Sequence, residues 1–242
     1  TENGADYGVN VVFTGMGIDL GDYNNDGFFD FVGTSINRNV LYTNNGDNTF
    51  TDLAVEKGVF NSGWAWSIHF SDFDLDGDED LYITNGRGAN RLEKNYFYKN
   101  QLIETGDATF VDVSVEVAIN NEYTLTNCSE AFDYDNDGDL DLFQSNGLST
   151  SNFYENKTLI STSAISDSPN FLKVSLQGTV SNRDAIGTKL SVTTSEGSFH
   201  RFFTGTNLQG QSLQPVHFGV GDRRHNRPPT TRLPSGLVET YN

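Results

Sequence analysis

Three short segments of the chain are crowded with aspartate at matched positions. They read DYNNDGFFD (22–30), DFDLDGDED (72–80) and DYDNDGDLD (133–141), so each has the form DxxxDGxxD with Asp or Asn in third place. Side-chain oxygens at the first, third, fifth and ninth places, with the seventh-place carbonyl, can converge on one hard cation, and the sixth-place glycine permits a sharp turn. Oxygen-only ligation favours Ca²⁺ over transition metals, which prefer His or Cys, and over Mg²⁺, which keeps its waters.

The pattern assigns a set of ligands to each segment, and we name the segments loop 1, loop 2 and loop 3. The side-chain ligands are Asp22, Asn24, Asp26 and Asp30 in loop 1, Asp72, Asp74, Asp76 and Asp80 in loop 2, and Asp133, Asp135, Asp137 and Asp141 in loop 3. The carbonyl ligands are those of Phe28, Asp78 and Asp139. We therefore expect about three structural Ca²⁺ ions, with the weakest site in loop 1, where asparagine replaces a carboxylate.

An EF-hand is the first alternative, because its loop begins in the same way. It closes, however, with a bidentate glutamate at the twelfth place and lies between two helices. The twelfth places here are Gly33, Ile83 and Gln144, and the flanking residues alternate as strands do, which excludes an EF-hand. The second alternative is three acidic surface turns without an ion, which would have to match in register by coincidence.

Each loop begins a repeated unit of about 50 to 60 residues. A second element follows each loop, LYTN (41–44), FYKN (97–100) and FYEN (153–156), and a third, GDNTFTD (46–52) and GDATFVD (106–112), follows in the first two units only. Between these elements, short segments of β-formers alternate with period 2, and no stretch of ten or more residues has helical periodicity. Each unit is therefore predicted to be a small antiparallel sheet, stacked on its neighbours as a propeller blade or solenoid turn.

Charge divides the chain into two regions. Residues 1–169 contain 29 acidic and 7 basic side chains, whereas residues 170–242 contain 4 and 8. We predict an all-β protein with three calcium-binding repeats over 1–160, a Ser/Thr-rich linker over 161–170 and a small β-domain over 171–242. The first part would form a partial or small β-propeller-type array of three blades.

Composition excludes several classes of protein. The net charge of −18 argues against a nucleic-acid partner, since phosphate contacts need clustered Lys and Arg. One cysteine cannot form an intrachain disulfide, and no apolar run is long enough for a transmembrane helix. The sequence begins at Thr1 without an initiator Met, and we expect a processed or truncated chain. Ca²⁺ at millimolar concentration is an extracellular condition, so we expect a secreted or cell-surface protein.

The loops and the elements after them resemble FG-GAP or VCBS-type repeats, which occur in integrin-like β-propellers and in secreted bacterial proteins. The C-terminal region resembles the ASPIC/UnbV domain that follows such repeats in the cartilage acidic protein family. The motifs that carry this second resemblance are SNRDAIG (181–187), GQS (210–212), HFGVG (217–221) and PSG (234–236). One departure is Leu233, where the family usually has Trp. A second departure is the number of units, since complete propellers of this family have about seven blades.

Carboxylates and histidines outside the loops are candidates for catalysis. Asp19, His69 and Glu130 each precede a loop by three residues, so they occupy equivalent places in the three units. A solvated strand face is the simpler interpretation, and a rim that carries a carbohydrate-active hydrolase is the alternative. HExxH and GxSxG motifs are absent from the sequence.

The predicted function is that of a calcium-stabilised binding or adhesion module without catalysis, with a protein or glycan partner at the cell surface. A structural subunit of a fibre or surface assembly is a second possibility. It would form by head-to-tail self-association between the acidic repeats and a C-terminal basic cluster. The cluster consists of Arg223, Arg224, Arg227 and Arg232.

Overall fold

The computed structural model describes residues 3–87, 92–119, 123–159, 169–180, 182–194, 197–205, 212–221, 230–232 and 238–240, the last two ranges as backbone only. Besides one 3₁₀ turn (Gly4–Tyr7), its elements are β1 (Ile18–Gly21), β2 (Asp30–Gly33), β3 (Val40–Asn44), β4 (Phe50–Asp52), β5 (Ala65–Ser71), β6 (Asp80–Asn85), β7 (Tyr96–Asn100), α1 (Leu102–Thr105), β8 (Phe110–Asp112), β9 (Thr126–Phe132), β10 (Asp141–Asn146), β11 (Asn152–Tyr154), β12 (Asn170–Val174), β13 (Thr188–Thr193), β14 (Ser198–Phe203), β15 (Val216–Gly221), β16 (Thr230–Arg232) and β17 (Val238–Thr240). The all-β prediction is confirmed.

Each repeated unit forms one antiparallel sheet, as predicted. The sheets have the strand orders β1-β2-β3-β4, β5-β6-β7-β8 and β9-β10-β11. The third sequence element forms the outer strand of the first two sheets, since β4 and β8 lie within GDNTFTD and GDATFVD. The third unit lacks this element, and within its described residues the sheet has three strands.

The sheets stack face to face because the strands between them are apolar on both sides. All six residues of β6 are buried. Leu81 and Ile83 pack into a core shared with the first unit, whereas Tyr82 packs into a core shared with the third. Period-2 alternation therefore sends successive side chains of one strand into two different cores.

The C-terminal region has a core of its own. Strands β12 and β15 pair with each other, and β13 lies between β14 and β16 in a sheet that ends with β17. Apolar side chains from both sheets meet in one cluster that includes Leu190, Phe199 and Phe218. A small β-region therefore follows the repeats.

Two further expectations concern the course of the chain. Within the described residues no sheet closes on itself, so a closed propeller stays a prediction. Residues 161–168 of the expected linker lie outside the described residues, and the domain boundaries stay predictions as well. Among the helices that the structure describes, none has the length and apolar character needed to cross a membrane.

Candidate metal centre

The three loops occupy the same position in the three sheets. Each connects the first strand of its sheet to the second, β1 to β2, β5 to β6 and β9 to β10. The ninth-place aspartate of each loop, Asp30, Asp80 or Asp141, is the first residue of the second strand. Because the sheets stack face to face and each loop joins the same pair of strands, the three loops lie at one end of the array.

Two residues in each loop have left-handed backbone conformations. The sixth-place glycines have φ values of 87°, 109° and 108°, as the predicted turn requires. The fourth place is also left-handed, with φ of 54° at Asn25, 65° at Leu75 and 63° at Asn136. Asparagine tolerates this conformation, but leucine adopts it only under strain. Buried packing holds Leu75 in place, since its side chain is completely inaccessible.

Backbone amides occupy one oxygen of several carboxylates in each loop. The first-place aspartate accepts a hydrogen bond from the sixth-place N–H at 2.9 Å in loop 1, 3.0 Å in loop 2 and 3.1 Å in loop 3. The fifth-place aspartate accepts from the seventh-place N–H at 2.8, 3.0 and 3.2 Å in the same order. The same bonds therefore fold all three loops. In loops 2 and 3 they leave the second oxygen of the first-place aspartate for another partner, whereas in loop 1 the N–H of Asp26 donates to that oxygen of Asp22 at 3.0 Å.

Several of those remaining oxygens are buried and have no hydrogen-bond partner. Within the described residues they include Asp30 Oδ2, Asp72 Oδ1, Asp76 Oδ2 and Asp133 Oδ1. Removing a carboxylate oxygen from water without a partner is costly, so a set of such oxygens in one place is suited to hold a cation. The donor set, oxygen alone, fits Ca²⁺.

The carboxylates converge in loops 2 and 3. One oxygen from each of Asp72, Asp74 and Asp76 lies within 4.8 Å of the other two, and the same holds for Asp133, Asp135 and Asp141. Among the described residues, loop 1 has no such group of three acidic side chains. Its Asn24 instead donates a hydrogen bond to Asp26 Oδ2 at 3.0 Å, and the weaker site expected there stays a prediction.

Burial and mutual repulsion shift the pKa values of these carboxyl groups upward. Burial, followed by the charges of neighbouring aspartates, raises the pKa of Asp76 to about 9. Burial also raises the pKa of Asp72 to about 7 and that of Asp30 to about 8. Without a cation these groups resist ionisation at neutral pH, and a bound divalent ion would favour the ionised form.

The ninth-place aspartate links each loop to the second sequence element. Its Oδ1 accepts the N–H of the asparagine that ends LYTN, FYKN or FYEN, at 2.8, 2.9 and 2.9 Å. The side-chain amides of Asn100 and Asn156 then donate to the preceding unit, to Tyr23 O and Phe73 O respectively, both at 2.8 Å. The sequence identified this repeated asparagine but not its role, which is to join consecutive units.

The seventh-place side chains of loops 2 and 3 have a role that the sequence did not predict. Asp78 Oδ2 accepts the N–H of Ile103 at 3.0 Å, and Asp139 Oδ2 accepts that of Leu159 at 3.1 Å. Both acceptors fix the segment that follows the repeated asparagine. The carbonyls of Phe28, Asp78 and Asp139 stay predicted ligands.

Lys99 supplies a protein cation to loop 2. Its ammonium group contacts Asp74, lies 2.5 Å from Glu104 Oε1 and is 3.9 Å from Asp76 Oδ2. Glu104 belongs to α1, which follows the repeated asparagine of the second unit. Lys99 occupies the third place of FYKN, where the other units have Thr43 and Glu155. The three loops therefore differ in local charge.

Asp19, His69 and Glu130 do not form a solvated strand face, which corrects the simpler of the two interpretations. They line a cavity of about 180 Å³ between the first strands of the units and the C-terminal region, together with Arg201 and Lys173. His69 is 8% exposed, and its Nε2 lies 2.7 Å from Ser129 O. The three equivalent places predicted from the sequence do lie around one cavity. The sequence did not point to Arg201 and Lys173, because both are distant from these places along the chain.

Arg201 joins the C-terminal region to the repeats. Its side chain is 6% exposed, with Nε 3.2 Å from Glu79 Oε1 and Nη2 3.7 Å from Asp72 Oδ2. Glu79 Oε2 also accepts the N–H of Asp22 at 2.9 Å. The buried carboxylates at this junction therefore have a counter-charge.

Comparisons with known proteins agree with the two resemblances. A family model described as an FG-GAP-like repeat matches residues 22–83, and one described as ASPIC and UnbV matches residues 178–242. Cartilage acidic protein 1 of Xenopus tropicalis is 29% identical over 149 residues, which are 59% of this chain and 21% of that relative. The match thus spans about a fifth of the relative's length. The chain carries an FG-GAP-like repeat and an ASPIC/UnbV domain, which confirms the resemblance predicted from the motifs.

Proposed function

We propose that the chain is a calcium-stabilised extracellular binding module, with one structural Ca²⁺ in each loop. The observation that carries this proposal is the set of buried, unpartnered carboxylate oxygens in the loops, which includes the first and seventh places of both loop 2 and loop 3 and the ninth place of loop 1. The similar protein is named for cartilage, which is an extracellular tissue. The partner is a protein or a glycan at the cell surface, and the ions keep the loops closed.

Calorimetry tests the ion part of this proposal. If free Ca²⁺ is about 100-fold above its Kd, mass action adds roughly 2.7 kcal/mol of stability per site. We expect isothermal titration to give about three sites, and excess EGTA to lower the melting temperature by more than about 10 °C. Mg²⁺ at the same concentration serves as the control and should restore little of the loss. An unchanged melting temperature in EGTA would contradict the proposal.

A glycan or protein array tests the binding part. The protein in 2 mM Ca²⁺ should bind a defined subset of the array, and binding should fall when EGTA opens the loops. Binding that is equally strong in EGTA would show that recognition of the partner does not depend on the ions. The fibre subunit, the alternative to this function, predicts long polymers in calcium by electron microscopy. Its basic cluster lies outside the residues whose side chains the structure describes.

The cavity favours a second candidate function, hydrolysis of a glycan. Burial raises the pKa of Asp19 to about 7, which suits a general acid, and Glu130 lines the same cavity. Release of reducing sugar from a panel of polysaccharides would support this candidate if Asp19→Asn abolished it. If the wild-type protein releases no reducing sugar, hydrolysis is contradicted and the binding module stays the proposed function.

A further inference from the structure

The first-place aspartates of loops 2 and 3 are shared with the C-terminal region. Asp72 Oδ2 accepts the N–H of Gly219 in β15 at 2.9 Å, and Asp133 Oδ2 accepts a hydrogen bond from Lys173 Nζ in β12 at 2.8 Å. The other oxygen of each carboxylate, Oδ1, is buried without a hydrogen-bond partner. One oxygen of each group thus contacts the C-terminal region, while the other is left for an ion.

Loop backbone atoms complete this junction. The N–H of Gly221 donates to Leu75 O at 2.8 Å, and His217 Nε2 donates to Gly138 O at 2.9 Å. Phe171 stacks on the His217 ring at a centroid distance of 5.8 Å. Leu75 and Gly138 have positive φ, so their carbonyls point to the C-terminal region only while the loops keep this conformation.

Loop 1 contacts the C-terminal region in a different way. Both oxygens of Asp22 accept amides of loop 1 itself, those of Asp26 and Gly27. The contacts with the C-terminal region include a ring pair, Phe29 with Phe202 at 5.4 Å. No described contact runs from the first-place carboxylate of loop 1 to the C-terminal region.

We propose that the ions of loops 2 and 3 hold the C-terminal β-region against the repeats, so that this docking depends on calcium, while the ion of loop 1 does not contribute. The inference rests on the proposed function, since it needs ions in the loops. Without them, four ligand carboxylates in each loop repel one another and displace the atoms that β12 and β15 contact. With one Ca²⁺, four carboxylates still carry a net negative charge, so Arg201 and Lys173 stay attracted.

Hydrogen exchange of single amides tests the proposal. The amides of Gly219 and Gly221 report docking, and those of Leu190 and Val192 in β13, whose strand pairs within the C-terminal region, serve as the reference. We expect EGTA to speed exchange of the two glycine amides at least tenfold relative to the reference. Unchanged protection after titration calorimetry has shown loss of the ions would overturn the proposal. Failure to bind Ca²⁺ at all would instead overturn the proposed function.

Two matched variants separate the loops. Asp76→Asn removes a charge from loop 2 but keeps an acceptor for the Asp78 N–H, and Asp26→Asn makes the same change in loop 1. At a Ca²⁺ concentration that saturates the wild type, Asp76→Asn should speed hydrogen exchange at the Gly219 and Gly221 amides. Asp26→Asn should not. Equal effects of the two variants would contradict the proposal.

Because coupling is reciprocal, weaker docking must weaken ion binding. Phe171→Ala removes an uncharged docking contact at loop 3, and its side chain is far enough exposed, at 39%, for the variant to fold. In a Ca²⁺ titration followed by NMR, the Gly138 amide should saturate at several-fold higher concentration in this variant. The Gly27 amide should be unaffected. This experiment tests the proposal even if Asp76→Asn fails to fold. If the Gly138 amide saturates at the same Ca²⁺ concentration in Phe171→Ala as in the wild type, the proposal is overturned.

Discussion

Lys99 brings a positive charge of the protein itself into loop 2. Its ammonium group contacts two predicted ligands, Asp74 and Asp76, and therefore competes with a divalent cation for the same carboxylates. We expect Lys99→Met to strengthen Ca²⁺ binding in loop 2 about tenfold, equivalent to about 1.4 kcal/mol. The Gly77 amide, titrated by NMR, measures this affinity. Lys157→Met is the control, because Lys157 is paired with Glu155 on the surface; weaker binding in Lys99→Met would contradict the prediction.

His69 introduces a pH dependence that comes from outside the loops. Burial lowers its pKa from 6.5 to about 4, and the hydrogen bond to Ser129 O only partly offsets this. As pH falls below 6.5, the unfolded chain takes up a proton that the folded protein does not, so stability declines between pH 6.5 and 4. The difference is roughly 3 kcal/mol.

His69→Gln should remove that part of the acid sensitivity, since glutamine can still donate to Ser129 O. Urea unfolding at pH 7 and pH 4.5, with the wild type measured in parallel, checks this expectation. The loop carboxylates titrate in both proteins, so their contribution cancels in the comparison. A variant that loses as much stability as the wild type would show that His69 is not the cause.

The turn in each loop was predictable, because a glycine at the sixth place permits the left-handed conformation that the structure shows there. The assignment of the aspartates as metal ligands stays a prediction. The sequence could not predict the positive φ of Leu75, which a leucine adopts only because tertiary packing holds it there. Nor could it predict that the Asp78 and Asp139 side chains bind Ile103 and Leu159. Those bonds depend on the path of a later segment.

Among the elements, the repeated asparagine determines how one sheet follows the next. Asn100 is fully buried and donates to Tyr23 O in the preceding unit and to Glu79 O in its own. Asn100→Ala should leave buried carbonyls without a donor and cost about 2 to 4 kcal/mol in chemical unfolding. Asn44→Ala is the matched control, since the described side-chain amide of Asn44 donates to Phe29 O within its own unit. Equal losses would argue against a role between units.

Strand β12 approaches loop 3 closely at Gly138. A Cβ at Gly138, where φ is 108°, would lie 2.0 Å from Phe171 Cε1. Gly138→Ala should therefore cost about 2 to 3 kcal/mol, from backbone strain and from the shift that the partly exposed Phe171 ring has to make. Gly106→Ala has the strain without the clash, because nothing lies within 4 Å of its Cβ position, and should cost about 1 kcal/mol. Thermal unfolding of both variants in Ca²⁺ measures the difference.

For the whole molecule, the sequence predicted an all-β chain with three sheets and a separate C-terminal region. It did not predict that this region contacts the loops. Arg201 and Asp72 are far apart along the chain, and no local pattern marks either as a partner of the other. Long-range ion pairs of this kind arise from tertiary packing, which period-2 alternation and turn residues do not specify.

The link between consecutive units has a consequence for the length of the array. Each of the first two units is held by the asparagine of the unit after it, whereas the described contacts of the C-terminal region with loop 3 come from Phe171 and Lys173 of β12 and from His217 of β15. These contacts cover the loop end of the third unit but not the far face of its sheet, where Phe143 and Phe153 lie opposite each other and are 37% and 44% exposed. An engineered copy of the second unit, inserted after Asn156, would therefore meet an apolar sheet face on which it could stack. The last sheet of the row still presents a surface of the kind that the earlier sheets bury against one another.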